Sequence, residues 1–311
     1  MKIRLVTAII LLCGWVSVVP ARSDSGPQVV VSIKPLHSLV AGVMQGVAEP
    51  TLLVKGGASP HGYVLRPSDA RLLSTAQLII WVGPQLESFL AKPLATLGRQ
   101  ARQLELAEDL AAQMLPLREG GSWEAHEDQD GPAGHLDHAG QPLDPHLWLS
   151  PLLAKLIVAR TAAALGEIDP AHREHYQNNA ERLKRRLDEL HRQLKPRLAP
   201  VSKIPYVVFH DAYQYFEAAY GLNAVGSITV DPERQSGARR IGEMREKIKE
   251  LRARCVFSEP QFMPRLVATI IEGTGARTGV LDPLGAELPA GPESYFRLLK
   301  ALADNLLEGL R

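Results

Sequence analysis

Cysteine is almost missing from this 311-residue chain, which has two, Cys13 and Cys255. So few thiols exclude a disulfide framework and a Cys-built zinc finger. Charge of one sign is missing too: 35 Lys and Arg against 34 Asp and Glu leave a formal net charge of +1, which gives no support to nucleic-acid or anionic-membrane binding. No apolar run reaches the ~20 residues that a membrane span needs. The signatures His-Glu-x-x-His and Gly-x-Ser-x-Gly and a phosphate loop are also absent, which argues against a zinc-dependent hydrolase and against catalysis in general. What remains is an ordinary folded composition, 45% hydrophobic and 22% charged, in a chain long enough for two domains.

The first residues carry an address. Lys2 and Arg4 precede an apolar stretch from Ile9 through Leu12 and Trp15 to Val19, and the small residue Ala21 is followed by the polar run 22–26. This layout predicts an export signal over residues 1–23, cut after Ala21 or Ser23, and a periplasmic mature protein. Leu12 stands before Cys13 where a lipoprotein signal needs a small residue, so no lipid anchor is expected. Removal of the signal leaves Cys255 unpaired; between Ala253 and Phe257 it reads as a small buried hydrophobe.

The mature chain alternates short β-branched runs with helical stretches. Strands are expected at 29–33, 50–54, 78–82, 205–209, 255–258 and 280–281, and helices at 36–45, 67–75, 212–220, 236–253, 266–274 and 294–310. Such alternation implies an α/β fold with mostly parallel, crossover-connected sheets. Between the two series, residues 170–197 keep Tyr176, Leu183, Leu187, Leu190 and Leu194 at helical spacing, a rod of roughly 40 Å that would join two lobes stiffly. The expected division is an N-terminal lobe over 24–167, a linking helix over 168–198 and a C-terminal lobe over 199–311. One segment, 120–141, lacks periodicity. Its His126, His135 and His138, mixed with Glu124, Glu127, Asp128, Asp130 and Asp137, either capture divalent metal weakly or form a solvated loop.

Three further histidines sit in turns: His61 in Ser59-Pro60-His61-Gly62-Tyr63, His146 in Asp144-Pro145-His146-Leu147-Trp148, and His210 in Phe209-His210-Asp211. A fourth turn carries Asp282, in Leu281-Asp282-Pro283-Leu284-Gly285. A single histidine is weak evidence for a metal. Two ligands from each half, each expected after the end of a strand or a turn, are what a cleft site between lobes needs. Imidazoles with a carboxylate or water suit tetrahedral zinc.

These motifs, with Leu65-Arg66-Pro67-Ser68-Asp69 and Ile80-Trp81-Val82-Gly83-Pro84, occur in an order that closely resembles the zinc-specific periplasmic binding proteins of the ZnuA type. That family belongs to the metal-binding solute receptors of ABC importers. The resemblance spans essentially the whole mature chain. It implies two α/β lobes joined by a rigid helix, one Zn2+ ion in the cleft, and delivery to a membrane permease and its ATPase by a monomer. It makes 120–141 the counterpart of the family's variable metal-rich loop. Manganese-type relatives carry a carboxylate where this chain has His210, so an N-rich site favours zinc over a manganese or iron receptor. The absence of a lipoprotein cysteine weighs against a surface adhesin of the same group. Two departures stand out. Pro60 occupies the place where some members have an acidic residue, which leaves the fourth position to Asp282 or water. The C-terminal cysteine that often pairs with the counterpart of Cys255 is lacking.

Overall fold

The computed structural model describes residues 26–118, 123, 140–229, 238–262 and 264–311. Its first half contains β1 (Val29–Val31), α1 (Lys34–Met44), β2 (Thr51–Leu52), α2 (Pro67–Thr75), β3 (Leu78–Trp81), α3 (Ser88–Thr96), β4 (Arg102–Glu105), α4 (Leu106–Asp109) and α5 (Pro151–Ile168). α6 (Arg173–Leu198) follows, and then β5 (Tyr206–His210), α7 (Gln214–Tyr220), β6 (Ala224–Thr229), α8 (Ala238–Glu250), β7 (Cys255–Ser258), α9 (Pro264–Ile271), β8 (Arg277–Val280) and α10 (Ser294–Leu310).

The two halves repeat one topology. Four parallel strands lie in the order β2-β1-β3-β4, and four more in the order β6-β5-β7-β8. In each sheet the first strand is central, with its successor on one side and the next strand on the other. The order in which strands are added therefore reverses at β1 and at β5, and the crevice beyond their carboxyl ends is where such sheets hold ligands. The α/β two-lobe expectation holds in full. The strands are buried on both faces: Val29, Val30 and Val31, and Tyr206 to His210, are all buried, as parallel sheets covered by helices require.

α6 connects the halves. Its buried residues Tyr176, Ala180, Leu183, Leu187, Leu190, Leu194 and Leu198 step by three and four, so one stripe faces inward while the charged remainder is solvated. The stripe packs on α1, α5 and α10. α1 and α6 cross closely at Gly42, where an added Cβ would lie 2.9 Å from Leu183 Cδ2. One continuous apolar cluster runs from Val29 and Val31 through Trp148 and this stripe to Phe257 and Leu310, so the two lobes share a core.

Several elements escape the sequence pattern for definite reasons. β4 is an edge strand with Arg102 and Gln103 exposed, so it shows no apolar run. β8 lies at the other sheet's edge and is mostly exposed; it ends at Val280, where a strand over 280–281 is expected. β6 includes Gly226 and Ser227 in Ala224–Thr229, and α3 contains Pro93. Leu187 is fully buried on the shared stripe. Leu187→Ala is expected to lower unfolding free energy by about 2–5 kcal/mol, a cavity cost that denaturant unfolding would read directly.

Candidate metal centre

The cleft side chains are placed by three different local devices. His210 is the last residue of β5, so its direction is set by a central strand. Its Nδ1 lies 2.8 Å from Glu259 Oε1, and Glu259 directly follows β7, the neighbouring strand. His146 follows no named strand; it sits before a 3-10 turn over Leu147–Leu149 and is fixed by Asp144. Asp144 Oδ1 accepts from the His146 backbone N–H at 2.9 Å and faces His146 Nδ1 at 2.8 Å. Tyr215 of the other half donates its hydroxyl to Asp144 O at 2.7 Å. His61 lies in the segment between β2 and α2, nine residues past Leu52, and its N–H donates to Ser59 Oγ at 3.2 Å. Of the three, therefore, only His210 ends a strand.

The three imidazoles nonetheless meet. Their ring centroids are 5.6 Å apart for His61 and His146, 5.4 Å for His61 and His210, and 4.9 Å for His146 and His210. Among the described residues they form a group whose ligand atoms all lie within 4.8 Å of one another. The Nε2 atoms of His146 and His210 are 3.1 Å apart. Two nitrogens bound tetrahedrally at 2.0–2.1 Å are separated by ~3.3 Å, so the pair is already near coordination spacing. The enclosed space is about 10 Å³, with Trp148, Glu259, Pro283 and Leu284 in its wall. That is room for one small ion or one water.

Asp282 is not in that group. Its Oδ1 accepts from the N–H groups of Leu284 and Gly285 at 3.0 Å each and from Gln261 Nε2 at 2.9 Å, while Oδ2 accepts from Ala286 N–H at 2.6 Å. Four donors thus share the carboxylate. His126, His135 and His138 lie outside the described residues.

Electrostatics separate the three histidines. Burial, reinforced by the neighbouring imidazoles, holds His61 and His146 well below the usual histidine range. Burial acts the same way on His210, but Glu259, Asp211 and Asp144 outweigh it and raise its pKa. One proton assignment that satisfies these hydrogen bonds has His210 donating from Nδ1 to Glu259 and from Nε2 to His146 Nε2, and His146 donating from Nδ1 to Asp144. Both backed rings thereby aim Nε2 at the cavity, the carboxylate–histidine pairing that orients metal ligands.

Sequence reading did not assign roles to Asp144, Glu259, Arg118 or Asp211. Arg118 bridges Asp211, beside His210, and Glu217, which it meets at 2.6 Å. Glu259 had a signal, an acid between a strand end and Pro260, and Asp144 lies within the His146 turn. Arg118 had none, because its partners are 93 and 99 residues away.

Two parallel α/β lobes with a nitrogen-rich cavity between them define a metal-binding solute receptor of the two-lobe class. Residues 29–309 match the family ZnuA, described as the periplasmic component A of the zinc-uptake complex, and the chain belongs to that family. It is 48% identical over 304 residues to the high-affinity zinc uptake system protein ZnuA of Brucella abortus (strain 2308), with 91% of each chain covered. To the protein of the same description from Yersinia pestis it is 38% identical over 292 residues, again with 91% of each covered. A crystal structure of ZnuA superposes with a TM-score of 0.76 at 26% identity, covering 92% of this chain and 100% of that one. The periplasmic zinc-binding protein TroA from Treponema pallidum shares the fold, with a TM-score of 0.76 at 21% identity, 92% of this chain and 99% of that one being covered. Like its family, the chain is a solute-binding protein and not an enzyme. Among the described residues, no helix is long and apolar enough to cross a membrane.

A divalent ion entering this cavity competes with protons for the facing Nε2 atoms of His146 and His210. Because His210 is raised above the reference value of 6.5, proton competition begins above that pH, whereas His61 and His146 compete only at lower pH. Calorimetry in buffers of different ionisation enthalpy is expected to show protons released on metal binding, with a number that grows and an affinity that falls as the pH is lowered. Zero proton release, with affinity flat down to pH 5, would exclude this arrangement.

Proposed function

We propose that this protein captures Zn2+ between its two lobes through His61, His146 and His210, and hands it to an ABC-type permease powered by a cytoplasmic ATPase. The observation that carries the reading is the convergence of three imidazoles, two of them backed by buried carboxylates, on a cavity the size of one ion. Three nitrogen donors suit zinc better than manganese, whose preference is for oxygen. Water takes the fourth position in this reading, because the Asp282 carboxylate already accepts four hydrogen bonds. Residues 1–23 act as an export signal, and the mature protein works as a periplasmic monomer with lobes over 24–167 and 199–311 and the linking helix over 168–198.

Protein purified without an affinity tag should carry about one zinc per chain by elemental analysis. His61→Ala, His146→Ala and His210→Ala should each weaken zinc binding by roughly two orders of magnitude or more, since first ligands matter more than the outer partners whose loss costs ~10–100-fold. Unchanged zinc affinity in His210→Ala would end this reading.

The segment 120–141 enters as a weaker accessory site built on His126, His135 and His138. The three cleft histidines all lie outside that segment. Deletion of residues 121–140 is expected to leave the tight binding phase intact and to remove a weaker second phase. Loss of the tight phase in titration would show that the segment supplies a primary ligand.

A further inference from the structure

The loop between β8 and α10 is gripped from both sides by charge, a buried cation and a half-buried carboxylate. On one side the N–H groups of Leu284, Gly285 and Ala286 point to the Asp282 carboxylate. On the other, Lys34 Nζ donates to the carbonyls of Gly285 at 2.7 Å, Ala286 at 2.6 Å and Leu288 at 2.9 Å. An ammonium has three donors, so all of its hydrogen-bonding capacity is used on this one loop. Lys34 is only 7% exposed.

The two grips come from different lobes. Lys34 opens α1, directly beyond β1 of the first sheet, whereas Asp282 and the loop belong to the second half. The same loop forms part of the cavity wall through Pro283 and Leu284. Trp148, two residues after His146, donates its Nε1 to Pro283 O at 2.8 Å. The Gly285 contact is buried and those to Ala286 and Leu288 partly so; a buried carbonyl that loses its donor bears the full cost of desolvation, so loss of all three bonds would favour movement of the loop.

We propose that Lys34 is a positioning residue for the metal site, latching the 282–288 loop of the second lobe onto the first and so closing the cavity wall across the cleft. The latch explains the place of Asp282: anion and cation hold opposite edges of one loop, and the carboxylate serves the wall of the site. The proposal rests on the zinc-capture reading for its functional consequence, while the latch itself can be measured without metal.

The test compares Lys34→Met, which keeps most of the bulk and removes every donor, with Lys34→Arg, whose planar fork cannot follow three converging carbonyls. Asn179→Ala serves as a stability control. Asn179 binds Val43 O and Gln45 O, both at 2.8 Å, where α6 meets the end of α1, and its side chain lies outside the cavity lining. Zinc dissociation into excess chelator is expected to speed up about tenfold or more in Lys34→Met, the scale of a lost charged hydrogen bond, with Lys34→Arg in between. Asn179→Ala should lower the Tm without changing that rate. In metal-free Lys34→Met, amide exchange at residues 284–286 should rise by about the same factor. If Lys34→Met fails to fold, the rate and exchange in Lys34→Arg decide alone. Wild-type rates and wild-type exchange in the folded Lys34 variants, with only the Tm lowered as in Asn179→Ala, would overturn the latch. Wild-type protein that binds no zinc would instead sink the zinc-capture reading, and amide exchange would still judge the latch.

Discussion

The cleft depends on holding two buried imidazole nitrogens from different lobes 3.1 Å apart. Two lone pairs that close repel each other, so something positive has to lie between them. A proton or a metal cation can serve, and Glu259, Asp211 and Asp144 favour positive charge on His210 against the opposing effect of burial. The rest of the structure maintains this pair. Asp144 and Glu259 fix ring direction from behind, and backbone strands and turns fix the carboxylates. The shared apolar core prevents the lobes from relieving the repulsion by drifting apart.

The shared core separates this fold from a two-lobe protein hinged on a soft linker. α10 closes the second half in sequence, yet it packs against α1 of the first half and against α6. Polar bonds cross the same boundary: Tyr295 N–H donates to Ser38 Oγ at 2.8 Å, Tyr295 hydroxyl to Trp148 O at 2.7 Å, and Tyr215 hydroxyl to Asp144 O. Large rotation of one lobe would break these bonds and open the core together. The ligand set is uneven by comparison. His146 and His210 are each buried and carboxylate-backed, while His61 is half-buried in a segment with no strand or helix of its own. Local adjustment around His61 therefore disturbs far less packing than motion at either of the other two.

Legibility in the sequence followed the distance over which a feature is encoded. The His146 turn could be read because Asp144, Pro145 and His146 are adjacent, and β1, β5 and β7 because buried parallel strands are short apolar runs. α6 showed its stripe over seven turns. β4 and β8, by contrast, are edge strands with exposed residues, and their pairing is a tertiary fact. The Arg118 bridge and the Lys34 latch join residues 93 to 254 positions apart, with nothing local to announce them. The four histidine- and aspartate-bearing turns could be listed from sequence, but their geometry could not. Three come together, and Asp282 is drawn into its own loop.

The buried carboxyl behind His146 also bears on how the cavity would receive a dication. Asp144 is pushed up to about 7, chiefly by burial and against the pull of the His146 N–H, Arg118 and His210. Near neutral pH its charge is therefore only partly developed. A dication bound at the Nε2 positions would bring more positive charge beside Asp144 than a proton does, which would favour its ionised form and strengthen its bond to His146 Nδ1–H. Binding of the ion and ionisation of Asp144 would then reinforce each other, while protonation of Asp144 or of an imidazole would work against both.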